Sequence, residues 1–458
     1  MESRNPATGE VWETHETHDP SEVDRTLEDA VTAFREWRDR SITERQQLIA
    51  AAGDVLRERR DELAELMVRE MGKPISSARA EVEKCAWVCE YYAEHAGAFL
   101  SSEGRPGVAH ASARVVYDPL GPVLAVMPWN FPLWQVFRFA APALTAGNVG
   151  LLKHASNVPG CALAIEDVFR EAGYPDGVFN TLLVGGERAE ELIGDDRIAA
   201  VTLTGSERAG RAVGAAAGEH LKKHVLELGG SDPFVVFEDA DLEAAATTGA
   251  RARTINSGQS CIAAKRFVVH EAVYEPFLDR LVDEMAALTV GDPMDEATDV
   301  GPQAREDLLW DLHEQVEASV DAGGRLACGG EPLDRAGYFY PPTVVADPPR
   351  DAPAGCEEVF GPAAAVFPVP DEEAAIELAN ETRFGLGASI WTADTHRGEW
   401  LARRIDAGCV FVNELVKSDP RLPFGGVKDS GHGRELGREG IREFVNRKTV
   451  WVQDADAG

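Results

Sequence analysis

One cysteine, in a short run of small and polar residues, is the first candidate for chemistry. Cys261 ends the segment NSGQSC at 256–261, in a predicted loop between a helix and a strand. A thiol in such a loop suits nucleophilic attack, because it can be both accessible and ionisable. A buried structural cysteine is the alternative for any one Cys taken alone. The segment therefore makes Cys261 a candidate nucleophile.

A carboxylate inside an apolar strand end is the second candidate. Glu227 lies in the segment LELGG at 226–230. Because burial disfavours the ionised form, we expect the pKa of this carboxyl group to be raised. A raised pKa suits a general base that works near neutral pH. A structural glutamate that accepts backbone N–H groups is the alternative.

An amide between two prolines is the third candidate. Asn130 lies in PWNFPL at 128–133, directly after a predicted strand. Its side chain can donate hydrogen bonds without carrying charge, which is what a developing oxyanion requires. The alternative is a capping asparagine in a rigid turn.

The segment Thr204-Gly205-Ser206 could bind phosphate. It ends a predicted strand and precedes a predicted helix over Glu207–Gly218, so that unpaired backbone N–H groups would face an anion. Gly205 to Gly210 has neither the Lys-Ser/Thr pair of a P-loop nor the GxGxxG spacing of the standard dinucleotide fingerprint.

Alternating strands and helices must position these residues. The predicted strands are Val123–Met127, Val149–Lys153, Val178–Val184, Ile198–Thr204 and Val225–Leu228, and helices are predicted at Asn157–Ala172 and Glu187–Ile193. Strand followed by helix, repeated, predicts right-handed βαβ units and a parallel sheet that is buried on both faces. Ligands bind outside the carboxyl ends of such strands, which is where the candidates cluster.

Helices and a second α/β region are predicted around this sheet. Apolar spacing predicts a helix that begins at an N-cap, Ser21, and continues to Trp37. Another helix is predicted over Thr43–Met71, with Gly72 and Pro74 as its stop signals, and a third from Val82 to Phe99. Further strands are predicted at Lys265–His270, Ala388–Thr392 and Cys409–Asn413, further helices at Tyr274–Leu288 and Glu372–Asn380, and an edge strand at Thr449–Val452.

The charge of the chain excludes some classes of partner. Its 45 basic and 78 acidic residues give a formal net charge of −33, which disfavours nucleic acids and anionic membranes. The negatively charged side chains repel one another unless salt screens them, so we expect the protein to work in a high-salt cytoplasm. The alternative is an acidic protein without a salt requirement. No apolar run approaches the roughly 20 residues of a membrane span, and the start of the chain lacks the apolar core of a signal peptide. We expect a cytoplasmic protein.

The cysteine pattern predicts neither disulfides nor a metal. Seven cysteines are few, odd in number and scattered, which is typical of a reduced compartment. Cys85 and Cys89 are spaced as helical neighbours, and we interpret them as core packing. The chain contains no CxxC pair and no HExxH, so no metal site is predicted.

Eight motifs in order resemble the aldehyde dehydrogenase superfamily over nearly the whole chain. They are NPATGE at 5–10, PWNFPL at 128–133, KHAS at 153–156, TGS at 204–206, LELGG at 226–230, GQSC at 258–261, EEVFGP at 357–362 and PFGGVKDSG at 423–431. The resemblance implies an α/β fold with a variant Rossmann cofactor domain that lacks GxGxxG, an α/β catalytic domain and a small β oligomerisation arm. The implied boundaries are 1–100 and 120–228 for the NAD(P)-binding domain, 229–421 for the catalytic domain, and 101–119 with 446–458 for the arm.

The resemblance also implies a role for each matching residue. Cys261 would attack the aldehyde, Glu227 would be the general base, and Asn130 with the Cys261 backbone N–H would form the oxyanion hole. The expected product is a carboxylic acid, released from a cysteine thioester. NAD or NADP would be held by the matching residues, namely Trp129, Lys153, Ser156, Gly205, Ser206, Leu228, Glu358 and Phe360.

Within the superfamily the closest resemblance is to succinate-semialdehyde dehydrogenases. Arg138 matches an arginine that binds the substrate carboxylate, and Ser418 is a second candidate contact; a surface arginine is the alternative for Arg138. A second carboxylate-binding arginine of one branch is replaced here by Ile255. Arg253, Lys417, Ser418 and Arg421 are the candidates to compensate.

Cofactor choice depends on Ser156. Many NAD-specific members have a glutamate at this position, which contacts the adenosine 2′-hydroxyl. A serine removes the repulsion that a 2′-phosphate would meet, and Lys153 could pair with that phosphate. NADP, or both cofactors, are therefore expected to be accepted.

Three rival functions stay open. A CoA-acylating dehydrogenase would pass the thioester to CoA, which the retained Glu227 argues against. A non-catalytic structural relative would not need Cys261, Glu227 and Asn130 together. A dehydrogenase for another aldehyde, aliphatic or betaine, would share all three residues. In every case we expect a small-molecule partner and a homodimer or homotetramer.

Overall fold

The computed structural model describes residues 1–104, 106 and 111–453. The parts of the predicted arm at 105, 107–110 and 454–458 lie outside the described residues.

Helices make up most of the chain before Phe99, and after it they alternate with strands. Within the described residues they are α1 (Pro20–Trp37), α2 (Ile42–Glu58), α3 (Arg60–Met71), α4 (Ile75–Phe99), α5 (Trp134–Ala146), α6 (Pro159–Glu171), α7 (Gly186–Ile193), α8 (Glu207–Glu219), α9 (Leu242–Thr254), α10 (Tyr274–Ala286), α11 (Glu306–Asp321), α12 (Pro353–Cys356), α13 (Glu372–Asn380), α14 (Thr395–Ala402) and α15 (Gly437–Ile441).

The strands are β1 (Glu2–Asn5), β2 (Glu10–Thr14), β3 (Glu103–Gly104), β4 (Ala111–Pro119), β5 (Pro122–Val126), β6 (Val149–Lys153), β7 (Phe179–Thr181), β8 (Ala200–Thr204), β9 (Lys223–Glu227), β10 (Pro233–Val236), β11 (Arg266–His270), β12 (Arg325–Cys328), β13 (Thr343–Ala346), β14 (Ala363–Val369), β15 (Gly387–Trp391), β16 (Cys409–Val412), β17 (Gly431–His432) and β18 (Val445–Gln453). The α/β class and the βαβ pattern predicted from the sequence are confirmed.

Two largely parallel sheets form the body of the molecule. The first has the order β17-β9-β8-β5-β6-β7, and only β17 runs antiparallel to its neighbour. The second has the order β12-β13-β14-β11-β10-β15-β16, with β12 antiparallel at one edge. A third, antiparallel sheet is β18-β4-β3, in which β18 is the predicted edge strand. The division of the chain into domains stays a prediction.

Apolar side chains fill both faces of each parallel sheet. Val235 and Val268 pack on one face of the second sheet, while Phe234 and Phe267 pack on the other, as the period of two in a strand requires. One continuous core joins α1–α6 to the first sheet and includes Cys85 and Cys89, which are both fully buried. The prediction that these two cysteines are core residues is confirmed. No helix of the described residues has the length and apolarity needed to cross a bilayer.

Two details of the predicted N-terminal helices are wrong. The N-cap of α1 is Asp19, whose carboxylate accepts the backbone N–H groups of Ser21 and Glu22, because a charged acceptor one turn before the apolar run satisfies two donors at once. The predicted helix over Thr43–Met71 is two helices, interrupted at Arg59. On either side of the interruption both helices pack on α4 and α6, while α2 also contacts α5 and α3 also contacts β1; no Gly or Pro marks the interruption in the sequence.

Candidate active site

Four carboxyl ends of the first sheet meet at one edge. Lys153 ends β6, Thr204 ends β8 and Glu227 ends β9, while Asn130 follows β5 by four residues. Thr204 and Glu227 are partners in the β8–β9 ladder, so their positions are fixed by backbone register. The sheet therefore gathers the predicted residues at the edge where ligands of such folds bind.

Glu227 is buried and lacks a hydrogen bond at one oxygen. It is 2% exposed, and its Oε1 has no hydrogen-bond partner among the described residues. Burial raises the pKa of this carboxyl group well above its usual range, although the Arg138 guanidinium acts in the opposite direction. A Cβ at Gly425 would lie 2.7 Å from Oε1, so only glycine leaves room for the carboxylate there. The side chain thus has the environment expected of a proton acceptor.

The nucleophile loop, defined as 255–261, is strained. Its first residues form a short 3-10 turn in which Asn256, Ser257 and Gly258 all have φ between 55° and 75°. Residues other than glycine rarely adopt this backbone conformation. Each one that does so raises the free energy of the folded state, and the surrounding contacts must compensate for it. Cys261 at the end of the loop is half-buried, and burial raises the pKa of its thiol to about 12.

Two buried cations hold this loop through its carbonyl groups. Arg253 Nη2 donates to the Gly258 carbonyl at 2.7 Å. Lys265 Nζ donates to the carbonyls of Ser260, Cys261 and Ala263 at 3.2, 2.9 and 3.1 Å. These contacts offset the strain of the loop. The sequence did not single out Lys265, although a lysine at the start of an apolar strand is a signal that could have done so.

Asn130 is joined to the same loop. Its side chain is 5% exposed, and its Nδ2 donates to the Gln259 carbonyl at 3.1 Å. Asn256 Nδ2 in turn donates to the Asn130 carbonyl at 2.7 Å. An amide carries two hydrogens, so the second N–H of Asn130 is available to an oxyanion beside Cys261.

A buried ion pair fixes the segment that follows Asn130. Lys73 is paired with Glu81, and the ammonium group lies 4.0 Å from the ring centroid of Phe131. The other Glu81 oxygen accepts the backbone N–H groups of Leu133 and Trp134, both at 2.9 Å. These are orphan donors at the start of α5, so Glu81 caps that helix from a distance.

The predicted phosphate site has a helix N-terminus. Ser206 is the N-cap of α8 and its hydroxyl accepts the Ala209 N–H at 3.4 Å. The Gly205 N–H is already used, since it donates to the Glu227 carbonyl at 3.0 Å. Leu228 is buried, and a Cβ at Gly210 would lie 2.5 Å from it, so the first turn of α8 packs closely on the strand end.

The other predicted cofactor residues are two polar side chains, a pair of aromatic rings and one glutamate. Lys153 is half-buried, Ser156 is exposed, and burial lowers the pKa of the Lys153 ammonium. Trp129 and Phe360 meet edge to face with their ring centroids 5.7 Å apart. Glu358, in contrast, is directed at the protein, because its Oε1 accepts the Gly230 N–H at 2.9 Å.

A cavity of about 630 Å³ opens beside the nucleophile loop. Its walls include Cys261 and the two predicted substrate contacts, Arg138 and Ser418, but not Glu227. Both candidate catalytic residues feel Arg138: burial raises the pKa of Cys261 and of Glu227, and the guanidinium opposes that effect at each of them. The volume suits a small organic molecule.

Arg138 is buried, and the alternative of a surface arginine is wrong. It is 2% exposed, forms an ion pair with Glu435, and lies 4.8 Å from the ring centroid of Phe424. Its Nη2 also donates to Thr204 Oγ1 at 3.4 Å. The guanidinium therefore reaches the cavity with a carboxylate partner already in place.

Three of the residues considered as substitutes for the arginine missing at Ile255 have other partners. Arg253 is fully buried against backbone carbonyls, Lys417 pairs with Glu414, and Arg421 pairs with Asp419. Ser418 accepts a hydrogen bond from Lys84 Nζ at 2.8 Å. Lys84 lines the cavity as well, and sequence reasoning missed it because it lies on a helix far from every motif.

No group of three or more His, Cys, Asp or Glu side chains arranged to hold a metal occurs in the part of the chain that the structure describes.

Comparison with known proteins gives a consistent result. The model of the aldehyde dehydrogenase family matches residues 1–450. A Synechocystis protein named probable succinate-semialdehyde dehydrogenase (NADP(+)) is 55% identical over 98% of both chains. A Mycobacterium tuberculosis protein named succinate-semialdehyde dehydrogenase (NADP(+)) 1 is 52% identical, again over 98% of both chains. The crystal structure of succinic semialdehyde dehydrogenase from Streptococcus pyogenes, in complex with NADP+, has 36% identity, 99% coverage of both chains and a TM-score of 0.96.

Proposed function

This chain belongs to the aldehyde dehydrogenase family, and we propose that it oxidises succinate semialdehyde to succinate with NADP as the preferred oxidant. The observation that supports this substrate is the cavity beside Cys261, whose walls include the Lys84 ammonium and Ser418 hydroxyl groups as well as Arg138, which is already paired with Glu435. The activity for which the Synechocystis and mycobacterial relatives are named supports the same substrate. The reaction consumes the aldehyde, water and oxidised cofactor, and yields the acid, reduced cofactor and a proton.

The first bond formed is between the thiolate of Cys261 and the aldehyde carbon. The negative charge then moves to the aldehyde oxygen, where the second N–H of Asn130 and the backbone N–H of Cys261 can donate to it. Preorganised donors of this kind stabilise the charge that develops in the transition state. A bound NAD or NADP would supply the oxidising power, as acceptor of the hydride lost from this carbon. Loss of the hydride leaves Cys261 as a thioester.

Water must next attack the thioester, and Glu227 takes the proton from that water. The raised pKa of Glu227 makes its ionised form a stronger base than an exposed carboxylate. A thiol with a pKa of about 12 is protonated at neutral pH, so Cys261 must first release its proton, which is the proton produced in the overall reaction. Breaking the thioester carbon–sulfur bond releases the acid, and the proton held by Glu227 restores the thiol.

The residues around the strand ends fit a dinucleotide. The first-turn N–H groups of α8 after Ser206 suit a pyrophosphate, and the half-buried Lys153 ammonium has no ion pair among the described residues. The exposed Ser156 leaves room for a 2′-phosphate without charge repulsion. Trp129, Phe360 and Leu228 would supply apolar contacts. Glu358 would have to exchange its hydrogen bond with Gly230 before it could reach a ribose.

A panel of aldehydes and both cofactors tests this function. We expect kcat/KM to be highest for succinate semialdehyde with NADP, without any requirement for CoA. A higher value for hexanal or betaine aldehyde would contradict the substrate, and turnover only with CoA would contradict hydrolysis by Glu227. Replacing Ser156 by Glu should lower kcat/KM with NADP more than with NAD; an equal loss would contradict the cofactor assignment.

The third sheet supports an assembly. Trp451 and Val452 on β18 are 56% and 51% exposed, which is unusual for such apolar side chains on an edge strand. Together with β4, this strand would pair subunits as a homodimer or homotetramer. We place this assembly in the cytoplasm and keep the domain boundaries proposed from the sequence. Sedimentation of a monomer at micromolar concentration would contradict the assembly.

From the net charge of −33 we also propose that the stability of the fold depends on salt concentration. Because counterions screen repulsion between surface carboxylates, the melting temperature should rise steeply as KCl is raised to molar concentrations. An unchanged melting temperature over that range would contradict a halophilic fold.

A further inference from the structure

Lys84 is a cation of the substrate cavity that no motif identifies. It lies on α4, is half-buried, and lines the same cavity as Cys261. Its Nζ donates to Ser418 Oγ at 2.8 Å and lies 4.3 Å from the ring centroid of Trp134. The serine and the indole ring together hold the ammonium group on the cavity wall.

The other buried or paired cations of this wall already have carboxylate partners. Lys73 is paired with Glu81 and Arg138 with Glu435. For Lys84, in contrast, no ion pair to any carboxylate is formed within the described residues, and its hydrogen bond goes to a neutral hydroxyl. A half-buried ammonium without a counterion is costly, and an anionic ligand would remove that cost.

The electrostatics of Lys84 favour an anionic ligand. Burial lowers the pKa of its ammonium to about 8, and Arg138 adds to the effect. Cys85, Glu81 and Asp419 act in the opposite direction but more weakly. A carboxylate that bound beside Nζ would raise this pKa again, so binding and protonation favour each other.

We propose that Lys84, oriented by Ser418, binds the substrate carboxylate and is the specificity-determining residue that replaces the arginine missing at Ile255. Ile255 lines the same cavity, so an arginine at that position and Lys84 would both lie on the wall of one cavity. The inference rests on the proposed oxidation of an acidic aldehyde. Arg138 then acts mainly on Glu435 and Phe424, and only secondarily on the substrate.

Replacement of Lys84 by Met tests the assignment with two aldehydes of equal chain length. We expect KM for succinate semialdehyde to rise about 10- to 100-fold, the range for loss of one charge-assisted hydrogen bond, while kcat/KM for butanal stays nearly constant. Lys223→Met is the control, since that lysine is paired with Glu443 and does not line the cavity; KM and kcat/KM for both aldehydes should stay unchanged. Lys84→Gln, which keeps a donor to Ser418, serves if the methionine variant folds poorly.

Two further readouts separate binding from a structural role. In the wild type, KM for succinate semialdehyde should rise above about pH 8, as Lys84 loses its proton, and KM for butanal should not. Calorimetry should show weaker binding of succinate to the Lys84→Met variant than to the wild type. A loss shared equally by both aldehydes, or no loss at all, overturns the role of Lys84. A wild type that does not prefer succinate semialdehyde to butanal overturns the proposed substrate instead.

Discussion

The reaction centre and the support behind it differ in how their polar groups are paired. At the centre, Glu227 Oε1 and Asn130 Oδ1 are buried without hydrogen-bond partners among the described residues. In the support, by which we mean Lys265 and the Lys73–Glu81 pair, Lys265 donates to three carbonyls and Glu81 accepts two N–H groups. The side chains compared are all buried, at most 5% exposed, so the difference in pairing is not caused by solvent access.

The difference separates groups that change partners during a reaction from groups that must not move. A buried polar atom without a partner costs free energy, and it is retained where chemistry needs it. A buried charge with every partner in place holds the backbone of the segment around it. Substitutions in the centre should therefore remove activity and leave the fold, while substitutions in the support should do the reverse.

Cys261→Ala should have the largest effect, the loss of all measurable aldehyde oxidation. No thioester can form without the sulfur, so neither a burst of reduced cofactor nor steady turnover is expected. The melting temperature should change little, because the side chain is half-buried and Lys265 holds only its carbonyl. Turnover of this variant at the wild-type rate would contradict the role of Cys261 as the nucleophile.

Glu227→Gln should slow steady turnover by about 10²–10⁴-fold, the range for loss of a general base. A single burst of reduced cofactor should remain, because the base is needed only after the thioester has formed. Glu227 acts when ionised and its pKa is raised, so the wild-type kcat should increase with pH as this group loses its proton. The glutamine variant should lack that dependence. A variant that retains both the wild-type kcat and its pH profile would contradict the role.

Local sequence patterns single out the candidate centre but not the support. Glu227, Cys261 and Asn130 are candidates because an acid in an apolar strand, a thiol among small residues and an amide between prolines are each unusual locally. Lys84 and Lys265 act on residues far away in the chain, or on backbone carbonyls, and such pairings depend on tertiary packing that no local pattern encodes. The same reason explains why the interruption between α2 and α3 at Arg59 was not predicted, since no local residue pattern marks it.

Asn130→Ala should lower kcat by about 10²–10³-fold, as expected when one of two oxyanion donors is removed. The fold should persist, since the alanine leaves the Asn130 carbonyl available to Asn256. Asn130→Asp is the matched variant: it keeps the shape but presents negative charge to the oxyanion, so its kcat should be lower still. Equal activity of the asparagine and aspartate enzymes would show that this side chain does not face the developing charge.

Glu81→Gln should change activity least and stability most. The substitution leaves Lys73 buried without its counterion, which typically costs about 3–5 kcal/mol in the free energy of unfolding. The glutamine oxygen can still accept the N–H groups of Leu133 and Trp134, so kcat of the folded enzyme should remain close to that of the wild type. Glu83→Gln is the control on the same helix: Glu83 is 44% exposed and paired with Arg57, and loss of such a pair typically costs at most about 1 kcal/mol. Urea unfolding and initial rates measured on both variants would decide the matter, because a stable but inactive Glu81→Gln enzyme would place this carboxylate in the reaction centre rather than behind it.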